Sequence, residues 1–375
     1  MVNCHMQKLF FLFLFLVYSG FSTMNYQKFL STCESPLCGF VERAFTSTFP
    51  EHLDAVSVLP IEGGFSSAQI YRVDVASQRY VMRILPTKFR IERRMAEHEG
   101  HQIGASLGIA PKVIYAGPES HVMIMDYVEG RPLTTADTKN PKIMKVVAEK
   151  LKKLHDYNLR FPFNNSQKIR TASQKLKADK GFAVFPKAYD PLYKHYMQDH
   201  KDGPGPDWVL GHGDLNLTNL LLTPEGDVLF IDWPNASMEN RYIELGSLTF
   251  WGGMSLKDIH TFMGFYLGRP PTKEELDKLS WGQRRAAFYV ATMWLRFVDP
   301  EAYQRTQAER ANAIEERYQQ SLRDIWDYHK KGEVVSIAYA AKGHGLSASL
   351  SEIRQKRMDY GLANLKAYEN WPGFL

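Results

Sequence analysis

One stretch limits what this chain can fold into more than any other. Val209-Leu-Gly-His-Gly-Asp-Leu-Asn-Leu-Thr-Asn-Leu-Leu-Leu222 is followed, after a short turn, by Val228-Leu-Phe-Ile-Asp-Trp233. Apolar runs on both sides of a polar loop predict a buried strand, a loop and a returning strand. The polar residues inside are His212, Asp214, Asn219 and Asp232. An exposed hairpin could use Asp and Asn simply to make turns. Here, however, they stand at the ends of strands that should be buried, where unpaired polar groups are costly without a ligand. Asp214 is the candidate general base, Asn219 and Asp232 are oxygen ligands for a divalent cation, and His212 holds the loop by hydrogen bonds. Mg2+ takes hard oxygen ligands and keeps several waters, so two protein ligands plus phosphates suffice. A base and two such ligands are the set that phosphoryl transfer needs.

Composition agrees with a globular enzyme. Hydrophobic residues make up 44% and charged residues 23% of 375, enough for one large two-lobed domain or two ordinary ones. The net charge is +5 and no basic run is interleaved with aromatics, so nucleic acid is not an expected partner. Of three cysteines, Cys33 and Cys38 lack the second pair that a zinc site requires. Lys8 precedes an apolar run, Leu9–Tyr18, with small residues after it. Residues 1–24 therefore read either as a secretory signal, which would export the chain, or as an over-extended start before Met24. The run is too short to span a bilayer, which takes about 20 apolar residues. Since ATP is a cytosolic metabolite, the expected compartment is the cytoplasm. Asn216-Leu-Thr218 and Asn235-Ala-Ser237 are glycan acceptor triplets inside the candidate site. A glycan there would block it, which argues against a eukaryotic secretory route.

Before the central stretch, residues 26–50 show helical spacing. Strand signals follow at 55–60, 69–75 and 79–85, with Gly63-Gly64-Phe-Ser66 between the first two. Such a turn can bring backbone N–H groups to a phosphate, because glycine has no side chain in the way. Arg83 lies mid-strand, and a cation on a covered sheet face needs an anionic partner. The helix expected over 90–107 carries Glu97 and Glu99, either of which could reach Arg83, with Glu97 the preferred partner. His98 and His101 on that helix read as a surface pair. Strands over 111–117 and 121–126 complete an antiparallel sheet of five, which Asp126–Gly130 leaves as an extended segment. After it, Pro141–Tyr157 is an amphipathic helix, and short helices are expected at 166–179 and 188–201. Beyond the central stretch the spacing predicts helices over 244–265, from 272, over 281–297 and over 300–329. Residues 332–375 carry no readable signal.

Taken together, these motifs resemble the aminoglycoside phosphotransferases and the choline/ethanolamine kinases. His212-Gly-Asp214-Leu-Asn-Leu-Thr-Asn219 is similar to that family's His-Gly-Asp-x-x-x-x-Asn loop, and Ile231-Asp232-Trp233 to its metal-binding strand end. Gly63-Gly64-Phe-Ser66, Tyr80-Val-Met-Arg83-Ile, Glu97 eleven residues before Gly108-Ile-Ala-Pro, and Leu151-Lys-Lys-Leu-His155 follow in the family's order. The resemblance covers about residues 55–300. It implies an α+β, protein-kinase-like, two-lobed fold: a small antiparallel-sheet N-lobe over 25–130, a mainly helical C-lobe over 131–330 and an extension over 331–375. It also implies ATP and Mg2+ as cofactors. Gly63, Gly64 and Ser66 would lie against the phosphates, Arg83 held by Glu97 would clamp them, and the segment containing Asp126 and Val128 would take the adenine. The acceptor would be a hydroxyl on a small molecule, with an amino alcohol as the first expectation and an aminoglycoside, thiamine or another small molecule as alternatives. A pseudokinase-type interaction protein is the alternative from another class, and it would lack Asp214 or Asp232. Ile231–Leu245 is similar to a bacterial choline kinase stretch but departs from it at Pro234-Asn235, Glu239-Asn240 and Glu244. Glu239 and Glu244 are candidates to meet an ammonium, and Trp251, Tyr266 and Trp294 to give it aromatic faces.

Overall fold

The computed structural model describes residues 23–61, 68–117, 119, 121–158, 189–199 and 205–295, together with 361, 364–365 and 367–371. Their contacts divide the chain into two compact units that meet in sequence at Glu129 and Gly130. Gly63, Gly64 and Ser66, and the helices expected at 166–179 and 300–329, lie outside the described residues.

The N-terminal unit is built on an antiparallel sheet. In chain order come β1 (Met24–Asn25), α1 (Tyr26–Thr32), α2 (Leu37–Thr48), β2 (Val56–Pro60), β3 (Gln69–Val75), β4 (Gln78–Ile84), α3 (Ile91–Ser106), β5 (Val113–Ala116) and β6 (Val122–Asp126). The sheet order is β1-β2-β3-β4-β6-β5. The expected five strands are present, and β1 adds a sixth by pairing Met24 with Val58 and Asn25 with Ser57. The helix expected over 26–50 is two helices. Cys33–Pro36 separate them, and Pro36 caps the second, as a residue without an N–H can do at no hydrogen-bond cost. The two helices lay an apolar face on the sheet. Phe29 and Phe45 are buried there with Val41, Val58, Val73 and Ile124.

The buried face of α3 is polar, contrary to a reading based on its apolar residues. Ile91 and Met95 are exposed, while Arg94, Glu97, His98 and His101 are buried. The expected surface pair His98 and His101 is thus interior. His101 Nε2 donates to the Pro111 carbonyl at 2.9 Å, and nearby His121 Nδ1 donates to Leu85 O at 3.1 Å. The Arg83 guanidinium is ion-paired through Nε with Glu97 Oε1, both side chains buried, so the strand cation has the partner its position requires.

In the C-terminal unit the order is β7 (Arg131–Pro132), α4 (Pro141–His155), α5 (Tyr189–Asp199), β8 (Trp208–Gly211), β9 (Leu220–Leu222), β10 (Val228–Phe230), β11 (Ser237–Asn240), α6 (Arg241–Gly252), α7 (Leu256–Leu267) and α8 (Lys273–Leu295). Two small sheets, β10-β9-β7 and β11-β8, sit among these helices. The helix expected over 244–265 is divided. Gly253 takes a left-handed C-cap with φ +57°, and Ser255 opens α7 with a capping box to Asp258. The two helices expected around 272 and 281 are one, α8, because nothing between Lys278 and Gln283 interrupts the turn-to-turn ladder. Residues of the tail contribute to this unit. Tyr368 is fully buried and its carbonyl accepts from Arg284 Nε at 2.8 Å, while Trp371 Nε1 donates to Ser280 Oγ at 2.9 Å. No described helix is long and apolar enough to cross a membrane.

His98 gives the N-terminal unit a defined acid sensitivity. Burial, then the neighbouring His101, Arg83, Arg94 and His121, push its imidazole down from 6.5 to about 3. A depressed native pKa means that the unfolded chain binds the proton more readily. The stabilisation is complete above 6.5 and is lost as pH falls from there toward 3, by up to about 1.4 kcal/mol per pH unit. Urea unfolding monitored at neutral and at mildly acidic pH should show the wild type losing more stability on acidification than His98→Leu. Equal losses would remove His98 as the cause.

Candidate functional site

The site is assembled by one loop and the elements that hold it. β8 brings the chain to Gly211, and His212–Asn216 form the loop. Leu217–Asn219 make a single 3-10 turn, and β9 leads away. Asn216 caps that turn, its Oδ1 accepting from Thr218 N at 3.0 Å. β10 returns antiparallel to β9 with Phe230 opposite Leu220, and Ile231 N donates to Asn219 O at 2.9 Å. Asn219 and Asp232 therefore leave the same end of this hairpin, as the sequence spacing predicts.

His212 is buried beneath the loop. Its Nε2 donates to Ile231 O at 3.0 Å and its Nδ1 accepts from Asp214 N at 3.3 Å. This is the neutral tautomer, and the charge state agrees. Burial lowers its pKa, outweighing the carboxylates of Glu244, Asp214 and Asp232 that act the other way. The ring also lies against Trp233, 4.5 Å between centroids. His212 thus ties the loop of the candidate base Asp214 to the strand end that carries Asp232.

Gly213 is held from the other side. Its N–H donates to Glu244 Oε1 at 2.6 Å, and Glu244 Oε2 accepts from His155 Nε2 at 2.8 Å. His155 Nδ1 lies 2.8 Å from the Tyr266 hydroxyl, which in turn accepts from Arg241 Nη1 at 3.3 Å. Gly213 has φ +76°, and a Cβ on it would run into the Asn235 carbonyl oxygen. The backbone conformation and the close approach both require glycine. Glu244, expected to meet an ammonium, accepts one bond of this support on each oxygen. Tyr266, expected as an aromatic wall, is 1% exposed and committed to His155 and Arg241.

Two asparagines of the glycan acceptor triplets, neither of them expected as a partner of Asp214, touch the candidate base. Asn216 Nδ2 donates to Asp214 Oδ1 at 3.0 Å, and Asn235 Nδ2 to Asp214 Oδ2 at 3.5 Å. Their signal was present in the sequence: an Asn two residues after Asp214, and another at the break from the choline kinase pattern. Charge-assisted bonds to both oxygens orient a carboxylate.

The metal-type residues fit a hard cation. Asn219 Nδ2 donates to the Asp214 carbonyl at 2.9 Å, which spends the amide nitrogen and leaves the amide oxygen as the ligating end. Asp232 has φ +65°, a left-handed conformation uncommon outside glycine and concentrated at functional sites.

Asp214 opens onto a solvent-connected cavity whose lining includes Glu239, Trp251, Tyr196, Tyr289 and Arg285. Glu239 is buried on β11. Glu244 also lines it, from its position under the loop. Trp294 lies on α8, and its side chain is outside the described set. In the N-terminal unit, Asp126 ends β6 and Val128 follows in the extended exit segment, where Tyr127 N donates to Arg79 O at 3.2 Å.

Residues 57–272, more than half of the chain, match the model of the phosphotransferase enzyme family, APH. The chain belongs to that family. It is a phosphotransferase, as the motif resemblance implies. It is 26% identical over 212 residues to a LicA homolog of Mycoplasma capricolum subsp. capricolum, covering 55% of this chain and 81% of that protein. Among solved structures, a choline/ethanolamine kinase family protein from Mesorhizobium loti superposes with a TM-score of 0.55 at 18% identity, covering 89% of this chain and 95% of that one. Choline kinase LicA from Streptococcus pneumoniae gives 0.55 at 16% identity, covering 89% and 100%. These structures share the expected α+β fold, with an antiparallel-sheet N-lobe and a mainly helical C-lobe.

Gly213→Ala should lose both activity and stability. The left-handed backbone alone accounts for about 1–3 kcal/mol, and displacement of the Asn235 backbone adds to it. Chemical unfolding together with a turnover assay on the same preparation checks this, and a fully active, equally stable variant would refute it.

Proposed function

We propose that the chain is an ATP- and Mg2+-dependent kinase that phosphorylates a hydroxyl of a small amino alcohol, of the choline or ethanolamine kind. The observation that carries this reading is the cavity. The candidate base Asp214, the buried carboxylate Glu239 and the Trp251 ring line one space. An amino alcohol has the two matching ends: a hydroxyl to be aimed at by a base, and a cation that a buried carboxylate or an aromatic face stabilises. Support also comes from the family, from the choline and ethanolamine kinases among the structural neighbours, and from one of them, LicA, being known in complex with AMP.

In this mechanism Asp214 accepts the hydrogen bond of the acceptor hydroxyl and draws its proton as the oxygen attacks phosphorus. Asn216 and Asn235 keep that carboxylate aimed. Asn219 and Asp232 would hold Mg2+, which supplies charge neutralisation to the transferring phosphoryl group. Arg83, set by Glu97, contributes a planar fork of donors suited to phosphate oxygens. Gly63, Gly64 and Ser66 would offer backbone N–H groups, and the segment of Asp126 and Val128 the hydrogen bonds for adenine. Trp294 is an acceptor-site candidate on the same footing. The cytoplasm, where ATP is made available, is the compartment that suits this reaction.

An ATP-consumption panel over choline, ethanolamine, thiamine and an aminoglycoside tests the acceptor class, and turnover confined to the last two would overturn it. Asp214→Ala should abolish turnover while thermal stabilisation by Mg-ATP persists. A variant that still turns over would remove Asp214 as the base.

A further inference from the structure

Cation recognition in a buried site has two physical routes. A quaternary ammonium donates no hydrogen bonds and is stabilised by aromatic faces placed around it. An ammonium bearing N–H groups must recover the hydrogen bonds it loses on leaving water, and a carboxylate does this best. The lining of the cavity at Asp214 is therefore informative about which head group fits.

Tyr196 lines this cavity, yet both of its faces are already covered. Phe288 stacks on it at 4.6 Å between centroids and 24° between planes. The Arg285 guanidinium lies over it at 3.7 Å. The same guanidinium sits 5.1 Å from the Trp281 ring centroid, and Nη1 donates to the Tyr196 carbonyl at 3.0 Å. Arg285 is 1% exposed and itself lines the cavity. Two aromatic rings thus already hold a cation, and that cation belongs to the protein. Trp251 and Tyr289 remain as lining aromatics, beside the carboxylates of Glu239 and Asp214.

We propose that Arg285 is a specificity-determining residue: by occupying the Tyr196 face it takes one lining aromatic ring out of cation binding and shifts acceptor recognition toward hydrogen bonds with the cavity carboxylates. The acceptor is then an amino alcohol whose nitrogen carries N–H groups, and a fully methylated nitrogen is disfavoured. The proposal rests on the reading of the acceptor as an amino alcohol.

The test is a methylation series at fixed Mg-ATP: ethanolamine, N-methylethanolamine, N,N-dimethylethanolamine and choline, which as cations carry progressively fewer N–H groups. kcat/KM should fall along the series, with choline below ethanolamine by at least about tenfold, since a site built for hydrogen bonds rejects an analogue lacking them. Choline used as well as ethanolamine, or better, overturns the proposal. Turnover of no member overturns the amino-alcohol reading and the proposal with it. Two variants then isolate the residue. Arg285→Met uncovers the Tyr196 face and should raise choline relative to ethanolamine, whereas Arg285→Lys keeps a cation there and should keep the wild-type order. A folded Arg285→Met enzyme with an unchanged ratio refutes the role of Arg285. Should that variant not fold, the wild-type series decides by itself.

Discussion

The carboxylate of Glu244 is the interaction on which the active loop depends. A backbone N–H in a left-handed turn cannot be satisfied by the usual ladder, so the N–H of Gly213 needs an acceptor from elsewhere. Glu244 provides one from the first turn of α6 and is itself fixed by His155 at the end of α4. A helix N-terminus is a favourable place for a buried carboxylate, because the helix dipole and the imidazole N–H offset part of its desolvation. With Gly213 pinned from below, Asp214 projects into the cavity, and His212 is free to bind the neighbouring strand. The order of consequence runs from one buried acid to a glycine, and only then to the residues that carry the chemistry.

This explains why much of the site was legible in the sequence and some of it was not. Asp214, Asn219 and Asp232 are separated by a tight turn and a two-strand hairpin, so their order in the chain nearly determines their order in space. The pairing of Arg83 with Glu97 was legible for another reason: a cation in the middle of a covered strand must find an acid, and α3 offers few. The support that Glu244 gives to Gly213 was not legible, because an acid near a pocket looks the same in sequence whether it faces a ligand, a backbone N–H or both. Asn216 and Asn235 were overlooked as partners of Asp214 because their contacts are set by the loop's three-dimensional path. The polar face of α3 was missed for a related reason. Hydrophobic periodicity finds helix faces through apolar residues, and here Ile91 and Met95 face outward while Arg94, Glu97, His98 and His101 face in. Helix ends were misplaced where one small residue decides the matter, as Gly253 does between α6 and α7. The tail gave no signal because Tyr368 and Trp371 pack against residues of α8 that lie far away in the chain.

Among the described residues, Arg83 in the N-terminal unit and Arg285 in the C-terminal unit are buried guanidinium groups that are stabilised in different ways. Arg83 is compensated by the full charge of Glu97. The pair is fixed along one edge of a planar fork, and a fork held by one edge is oriented at the other. That is useful for recognising phosphate, and a lysine, as a point charge, would not transmit the orientation. Arg285 is compensated by the quadrupoles of Tyr196 and Trp281 and by a backbone carbonyl. Aromatic compensation is weaker than ionic compensation, and it leaves the guanidinium's positive charge felt in the surrounding space. The first arrangement suits the phosphate-binding role proposed for Arg83. The second converts an aromatic surface from something that attracts a cation into something that already has one. On the proposed role of Arg285, a cavity with Glu239 and Asp214 on its walls then favours cations that can donate hydrogen bonds.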